Sequence, residues 1–138
     1  MPRRSSPTTV RLSQSADELI AAEAKRTRRS KSAILQAVAD EGIRQRAFPG
    51  IGFRGDDARR RAWVVGSGLD VWEIVLAVRD LGGSVERTVA ETDLEERQVR
   101  LALSYAARFA GEVDEEIAEN ERVALQYAER FPTFHTPA

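Results

Sequence analysis

The sequence contains no cysteine and a single histidine, His135. Disulfides and thiolate zinc sites are therefore excluded, and a histidine-based triad or metal site has too few ligands. No apolar run approaches the roughly 18 residues of a membrane-spanning helix. The first residues, MPRRSSPTT, are basic but lack the apolar region of a signal peptide. We therefore expect a cytoplasmic protein that is not an enzyme and that uses neither metal nor cofactor.

The charge of the sequence is almost balanced overall but divided along the chain. The 138 residues carry a net charge of −1. Residues 1–61 hold 14 basic against 7 acidic residues, whereas residues 62–138 hold 7 against 15. A basic half suits a polyanion such as nucleic acid, and an acidic half suits solubility or a different partner. The charge division favours two functional parts.

The N-terminal part predicts an arm, a strand and two helices. Residues 1–7 are rich in proline, serine and arginine and read as a flexible arm. TTVRLS alternates polar with apolar positions, which predicts a short half-buried strand. SQSADELIAAEAKRT predicts a helix that begins with a capping box of Ser15 and Glu18. Ser30 is placed to cap a second helix that ends near Arg46.

A lone strand with two short helices does not make a stable domain. Both strand edges would be unpaired, and two short helices bury too little apolar surface. The most economical completion is a second copy, whose strand pairs antiparallel with this one across a twofold axis. The sequence therefore predicts an intertwined homodimer over residues 8–48.

The middle of the sequence, residues 49–111, predicts a small β-hairpin followed by helices that include a helix-turn-helix. IGFRGDDARRRAWVV places two apolar-rich runs around the turn GDDA. DVWEIVLAVRDLGG has helical spacing with glycines as its stop. Two further helices are predicted, one capped by Ser84 and one with a capping box of Asp93 and Glu96 that ends at Gly111.

Residues 112–138 predict a separate acidic helix and a proline-bearing tail. Trp72, Tyr105 and Phe109 lie at helical spacing, so we expect them in the core. The fold class is mainly α.

Two sets of N-terminal residues are candidates for DNA contact. Thr9, Arg11 and Ser13, the strand triad, share one strand face and could read bases in a major groove, although any solvated strand face alternates in this way. The turn between the two helices is basic, and free N–H groups at the start of the second helix would bind a phosphate. Solvation of charged residues at the helix ends would also explain this basic cluster. This second set, the basic turn, comprises Arg28, Arg29, Ser30, Lys31 and Ser32.

The stretch TTVRLSQSADELIAAEAKRTRRSKSAILQAVADEGI resembles a ribbon-helix-helix DNA-binding domain of the kind found in bacterial antitoxins and small repressors. The resemblance implies that the paired strands enter the major groove with the strand triad as base readers. It also implies that Ser30, Lys31 and Ser32 clamp backbone phosphate. The family usually has glycine where this chain has Arg28, which would place a bulky residue in a left-handed turn at a cost of about 1 kcal/mol.

The segments FPGIGFR, DVWEIV and QVRLALSYAARFAGEVDEEIAENE resemble the winged-helix-like domain of unknown function in VapB-type antitoxins, which are encoded beside PIN-domain-like toxins. The resemblance implies that the C-terminal part binds and silences a toxin ribonuclease. The second helix of the helix-turn-helix begins with Asp93, Glu95 and Glu96, and these negative charges argue against its insertion into a DNA groove.

The alternative to an antitoxin is a repressor whose second half senses a ligand or a protein and has no toxin partner.

The candidate toxin-binding residues are three consecutive arginines in the hairpin and four glutamates of the acidic helix. A solvated strand beside a core Trp63 and a solvated acidic helix face explain the same residues without a partner, and we assign no metal to the carboxylates. The candidates are Arg59, Arg60, Arg61, Glu112, Glu115, Glu116 and Glu119.

Overall fold

The computed structural model describes residues 5–131. The first part of the predicted arm, residues 1–4, and the tail with His135 lie outside them. Within the described range the chain has six α-helices and one antiparallel sheet of two strands, so the mainly helical prediction is confirmed. No helix in this range is both long enough and apolar enough to cross a membrane.

The elements form two compact units that divide between Ile43 and Arg44. Unit 1 holds the first helix and most of the second, and unit 2 holds the remaining elements. The division lies inside the second helix, whereas the sequence places it after residue 48. The elements are α1 Gln14–Thr27, α2 Lys31–Ala47, β1 Ile51–Arg54, a 3₁₀ turn Asp57–Arg59, β2 Arg61–Val64, α3 Val71–Asp80, α4 Val85–Glu91, α5 Glu96–Arg108 and α6 Ala110–Arg130.

Helix α1 begins earlier than its predicted capping box. Ser13 is the N-cap, in extended conformation, and its Oγ accepts a hydrogen bond from the Ala16 N–H at 3.2 Å. Ser15 is already helical, and the Glu18 carboxylate accepts from the side-chain amide of Gln14 at 3.1 Å. The predicted capping box is therefore wrong, because an equally good capping serine two residues upstream lets the helix start sooner.

The predicted strand over residues 9–13 is not formed in the single chain. Residues 5–13 belong to neither strand nor helix, with Val10 exposed and Leu12 partly buried. The N–H and C=O groups of a strand need a paired neighbour, which the described residues of one chain do not supply here. The ribbon remains a hypothesis about a dimer.

The turn between α1 and α2 has the serine cap that the sequence predicts and the left-handed residue that the family resemblance implies. Arg28 adopts the left-handed conformation with φ 57°, and its N–H bonds to the carbonyls of Ala24 and Lys25. Ser30 caps α2, because its Oγ accepts from the Ala33 N–H at 3.0 Å. The turn is thus fixed by backbone bonds at the end of one helix and a serine at the start of the next.

The predicted hairpin of unit 2 is confirmed. Strands β1 and β2 pair antiparallel with Ile51 opposite Val64, and the 3₁₀ turn connects them. The guanidinium of Arg54 stacks over the ring of Trp63 with 4.4 Å to the ring centroid. The same guanidinium donates to the Asp70 carboxylate at 2.9 Å, which ties the hairpin to the start of α3.

The predicted limits of α3 and α4 are also confirmed. Helix α3 ends before Gly82 and Gly83, both of which have positive φ. Ser84 caps α4, because its Oγ accepts from the Arg87 N–H at 3.0 Å. The two glycines thus form the turn between α3 and α4, and any other residue at these positions would be strained.

The junctions around α5 differ from the predictions. Its capping box is formed by Glu95 and Gln98 rather than by Asp93 and Glu96, since the helix starts later than expected. Helix α5 ends at Arg108 and α6 starts at Ala110, so Gly111 lies inside α6 and ends nothing. An isolated glycine is tolerated within a helix at a cost of about 1 kcal/mol.

The acidic segment is not separate from the second domain. Val113 and Ile117 of α6 are buried in the core of unit 2. Tyr105 is fully buried, and Trp72 and Phe109 pack against its cluster, which confirms the predicted core positions. The fully buried large side chains are Val64, Val71, Ile74, Val99, Tyr105 and Val113, together with Thr88.

The hydroxyl of Tyr105 lies at the centre of a charged network that joins three helices. It accepts from the Arg44 guanidinium at 2.8 Å and donates to the Glu112 carboxylate at 2.7 Å. Arg44 also bonds to Glu112 at 2.9 Å and lies 3.9 Å from the centroid of the Phe109 ring. Because Arg44 belongs to the last turn of α2, that turn is part of unit 2.

We predict that Tyr105→Phe lowers the free energy of unfolding of unit 2 by about 1–3 kcal/mol, because Arg44 and Glu112 each lose a buried hydrogen-bond partner. Denaturant unfolding measures this loss. Tyr127→Phe is the matched control, since Tyr127 is 56% exposed, and a change within about 0.5 kcal/mol is expected there. Equal effects of the two substitutions would contradict the role of the network.

Candidate functional site

The candidate DNA-contacting residues of unit 1 are all on its surface. The three residues of the strand triad and the five of the basic turn are exposed. Ser13 and Ser30 already serve as helix caps, so their hydroxyls are engaged with backbone N–H groups. Lys31 pairs with Asp17 at 2.6 Å, and both side chains are about half exposed. A phosphate at this helix start would therefore compete with Asp17 for Lys31.

Unit 1 has almost no closed core of its own. Ala24 and Ile34 are its only buried hydrophobic residues within the described range. Leu19, Val38 and Ile43 are 72%, 53% and 62% exposed. An open groove of about 320 Å³ runs between α1 and α2, lined by Ala16, Leu19, Ile20, Glu23, Ile34 and Val38. A surface of this kind on one face of two short helices is typical of an interface.

Unit 2 carries a second groove, of about 250 Å³, between the hairpin and α6. All of its lining residues are charged, and we call it the charged groove. The structure here brings together the two sets of residues that the sequence singles out as candidate partner contacts. The lining residues are Arg59, Arg60, Arg61, Glu112, Glu115, Glu116 and Glu119.

Three of the four glutamates in the charged groove have a cationic partner. Glu119 pairs with Arg61 at 2.6 Å and Glu115 with Arg122 at 3.1 Å. Glu112 is held by the Tyr105 network. No ion pair or hydrogen bond joins the Glu116 side chain to any part of the chain that the structure describes.

The environment of Glu116 disfavours its charged form. Burial, followed by the nearby carboxylate of Glu112, raises the pKa of Glu116 from 4.5 to about 7. Arg61 acts in the opposite direction but is outweighed, since it already pairs with Glu119. Glu116 is thus half-buried and half-charged near neutral pH. At this position α6 is half-buried rather than fully exposed to solvent.

The network that supports the groove has shifted pKa values of its own. Burial and the hydrogen bond to Glu112 raise the pKa of Tyr105 above its ordinary range, so the hydroxyl stays protonated. Burial lowers the pKa of Arg44, but its bonds to Tyr105 and Glu112 outweigh that and keep the guanidinium charged. Sequence reasoning missed Arg44 and Asp70, because residues 61 or 16 positions from their partners give no local signal.

Comparison with known proteins gave no match to a family model, to a curated protein or to a solved structure. The assignment of function therefore rests on the chain's own residues.

We predict that Glu116→Gln stabilises unit 2 by roughly 1–3 kcal/mol at about pH 8 and changes little at about pH 4. Between pH 4.5 and about 7 the folded carboxyl keeps a proton that the unfolded chain has lost, so wild-type stability falls as pH rises through this window. An amide has no such penalty. Denaturant unfolding across this pH range measures the difference.

Glu121→Gln is the control, since Glu121 is exposed on the same helix and does not line the groove. Its stability should follow the wild-type pH dependence. If both variants behaved alike, the raised pKa of Glu116 would be refuted.

Proposed function

We propose that this protein is an antitoxin. Its unit 1 forms a ribbon-helix-helix homodimer that binds operator DNA and represses its own expression, and its unit 2 neutralises a PIN-like ribonuclease toxin. The observation that carries the proposal is that unit 1 combines an open apolar groove with an exposed basic turn.

A second copy of the chain is the partner that suits the apolar groove best. Unit 1 leaves Leu19, Val38 and Ile43 exposed on helices too short to be stable alone. A twofold interface would cover the grooves of both copies, and it would also supply a paired strand for residues 9–13. The same pairing would place two strand triads side by side as a ribbon of a width that a major groove admits.

The basic turn supports DNA as the ligand of this dimer. Arg28, Arg29 and Lys31 are exposed residues next to the start of α2, where free N–H groups would attract a phosphate. Arg28 adopts the left-handed conformation that ends α1, and a bound phosphate would draw Lys31 away from its ion pair with Asp17. Phosphate contacts of this kind set affinity and register, while the strand triad would supply specificity.

The antitoxin part of the proposal rests on unit 2. This unit has a closed core within one chain, and it exposes a groove lined only by charged residues. A surface of that kind is suited to a protein partner rather than to nucleic acid, since glutamates outnumber arginines in its lining.

Co-expression with the protein of the neighbouring reading frame, followed by affinity capture, tests this part directly. The proposal predicts a stable complex and loss of the partner's ribonuclease activity. DNA binding without any such capture would instead favour a repressor with a sensing module.

We predict that Leu19→Asp converts the dimer to a monomer, because a charge would be buried in the interface at a cost of several kcal/mol. Light scattering after size exclusion measures the mass. Leu125→Asp is the control, since Leu125 is 65% exposed on α6 and should leave the dimer intact. A wild-type monomer, or a dimer unaffected by Leu19→Asp, would contradict the proposed interface.

We predict different effects on DNA binding from the two sets of unit 1. Arg11→Ala should cost about 1–3 kcal/mol on the operator and relax sequence preference, because a base contact is lost. Lys31→Ala should weaken binding to all DNA alike and reduce the salt dependence by about one phosphate contact. Fluorescence anisotropy at several salt concentrations separates the two. Unchanged specific affinity of Arg11→Ala would refute the ribbon.

A further inference from the structure

We infer that the charged groove of unit 2 is a receptor for one cationic side chain of a protein partner, arginine in preference to lysine, with Glu116 as its counter-ion. The inference rests on the proposed function only for the identity of that partner as the toxin.

The ion pairs around the charged groove leave one of its glutamates, Glu116, without a cationic partner in the part of the chain that the structure describes. Arg61, Arg44 and Arg122 are committed to Glu119, Glu112 and Glu115. Arg60 donates to the carbonyl oxygens of Phe53 and Gly55 and so stabilises the hairpin loop. Glu116 is therefore the one glutamate of the lining without an ion pair or hydrogen bond among the described residues, although Arg61 acts on its charge and Arg59 lines the same groove.

The groups that face Glu116 come from every element around the groove. Glu112 and Glu119 lie on its own helix, Arg61 on β2 and Asp70 at the start of α3, and all four influence its charge. Arg59 and Arg60 come from the 3₁₀ turn and its end. Each of the three neighbouring carboxylates has its own arginine partner, yet together with burial they outweigh Arg61 at Glu116, so a further positive charge at this position would be favourable.

The size and chemistry of the groove favour a side chain over a larger ligand. A volume of about 250 Å³ is below the roughly 300–1,000 Å³ of pockets that take cofactors or drug-sized molecules. A guanidinium is planar, is weakly hydrated and offers five donors in a fork that suits adjacent carboxylates, whereas an ammonium loses more hydration on entry. Arginine is also among the residues most enriched at binding hot spots.

In the free protein the ionised Glu116 carboxylate destabilises the fold, and a bound cation would remove this destabilisation. An unpaired, half-buried carboxyl with its pKa raised to about 7 weakens the fold once it ionises. Strain or charge of this kind is characteristic of functional sites. A bound guanidinium would favour the ionised form, so binding should strengthen as pH rises through the pKa of Glu116.

A titration with a blocked arginine, N-acetyl-L-arginine methylamide, tests the groove without any toxin. The full chain, labelled with ¹⁵N, is observed by NMR at about pH 8 and about pH 6. Saturable shifts of amides around the groove are expected at the higher pH. Because the ionised fraction of Glu116 falls about tenfold between these conditions, affinity should also fall about tenfold. The neutral isostere, blocked citrulline, should give no saturable shift, and blocked lysine a weaker one.

Glu116→Gln should abolish the saturable shifts, whereas Glu121→Gln should leave them unchanged. The inference is overturned if no saturable shift occurs up to about 50 mM, where an interaction of roughly 2 kcal/mol would be visible. It is equally overturned if citrulline matches arginine, or if Glu116→Gln binds as the wild type does.

The partner's role is tested separately by capture of the co-expressed neighbouring protein. Weaker capture by Glu116→Gln, but not by Glu121→Gln, would support the groove as its contact. Failed arginine binding with intact wild-type capture would overturn this inference and leave the proposed function standing. Arginine binding with no capture of the neighbour by the wild type would overturn the proposed function and leave the groove as a cation receptor.

Discussion

Unit 1 buries little apolar surface of its own, and the proposed dimer depends on this shortage. Its described residues bury only Ala24 and Ile34, while Leu19 is mostly exposed in the groove between α1 and α2. At about 25 cal/mol per Å² of apolar surface, two buried side chains offset little of the chain entropy lost on folding. The proposed dimer would resolve the shortage, and the proposed DNA-reading ribbon would follow from the same pairing.

Unit 2, in contrast, has a hydrophobic core formed within one chain. Its core runs through the hairpin and all four of its later helices, and Tyr105 joins the apolar core to Arg44 and Glu112. The network orients the first turn of α6, the helix that lines the charged groove. Glu116 is thus presented by a rigid element rather than by a loop, which is what a binding site of defined geometry needs.

Local signals in the sequence predict a large part of this fold. Ser30 and Ser84 cap the helices expected of them, and the hairpin forms around GDDA as its turn residues predict. The left-handed conformation of Arg28 agrees with what the family resemblance implies. These features depend on bonds between near neighbours, whose partners lie within a few residues of each other. Helix starts are less certain where several capping residues compete, as at Ser13 and Ser15.

The candidate sites are less predictable than the elements. The sequence marks the arginines of the hairpin and the glutamates of α6 as two separate sets, but their meeting around one groove depends on tertiary packing over more than 50 positions, as in the Arg61–Glu119 pair. The raised pKa of Glu116 has no sequence signal, because burial and neighbouring charge produce it. The hydrogen bond between Arg44 and Tyr105 likewise has no sequence signal, because the two residues lie 61 positions apart.

The concentration dependence of thermal unfolding tests the central claim most directly. Circular dichroism of the full chain is recorded over an about hundredfold range of protein concentration. If unit 1 is completed by a second copy, dissociation is coupled to its unfolding, and its Tm must rise with concentration while that of unit 2 stays constant. A first transition whose Tm does not change with concentration would show that unit 1 is stable alone and would contradict the proposed dimer, on which the proposed DNA binding depends.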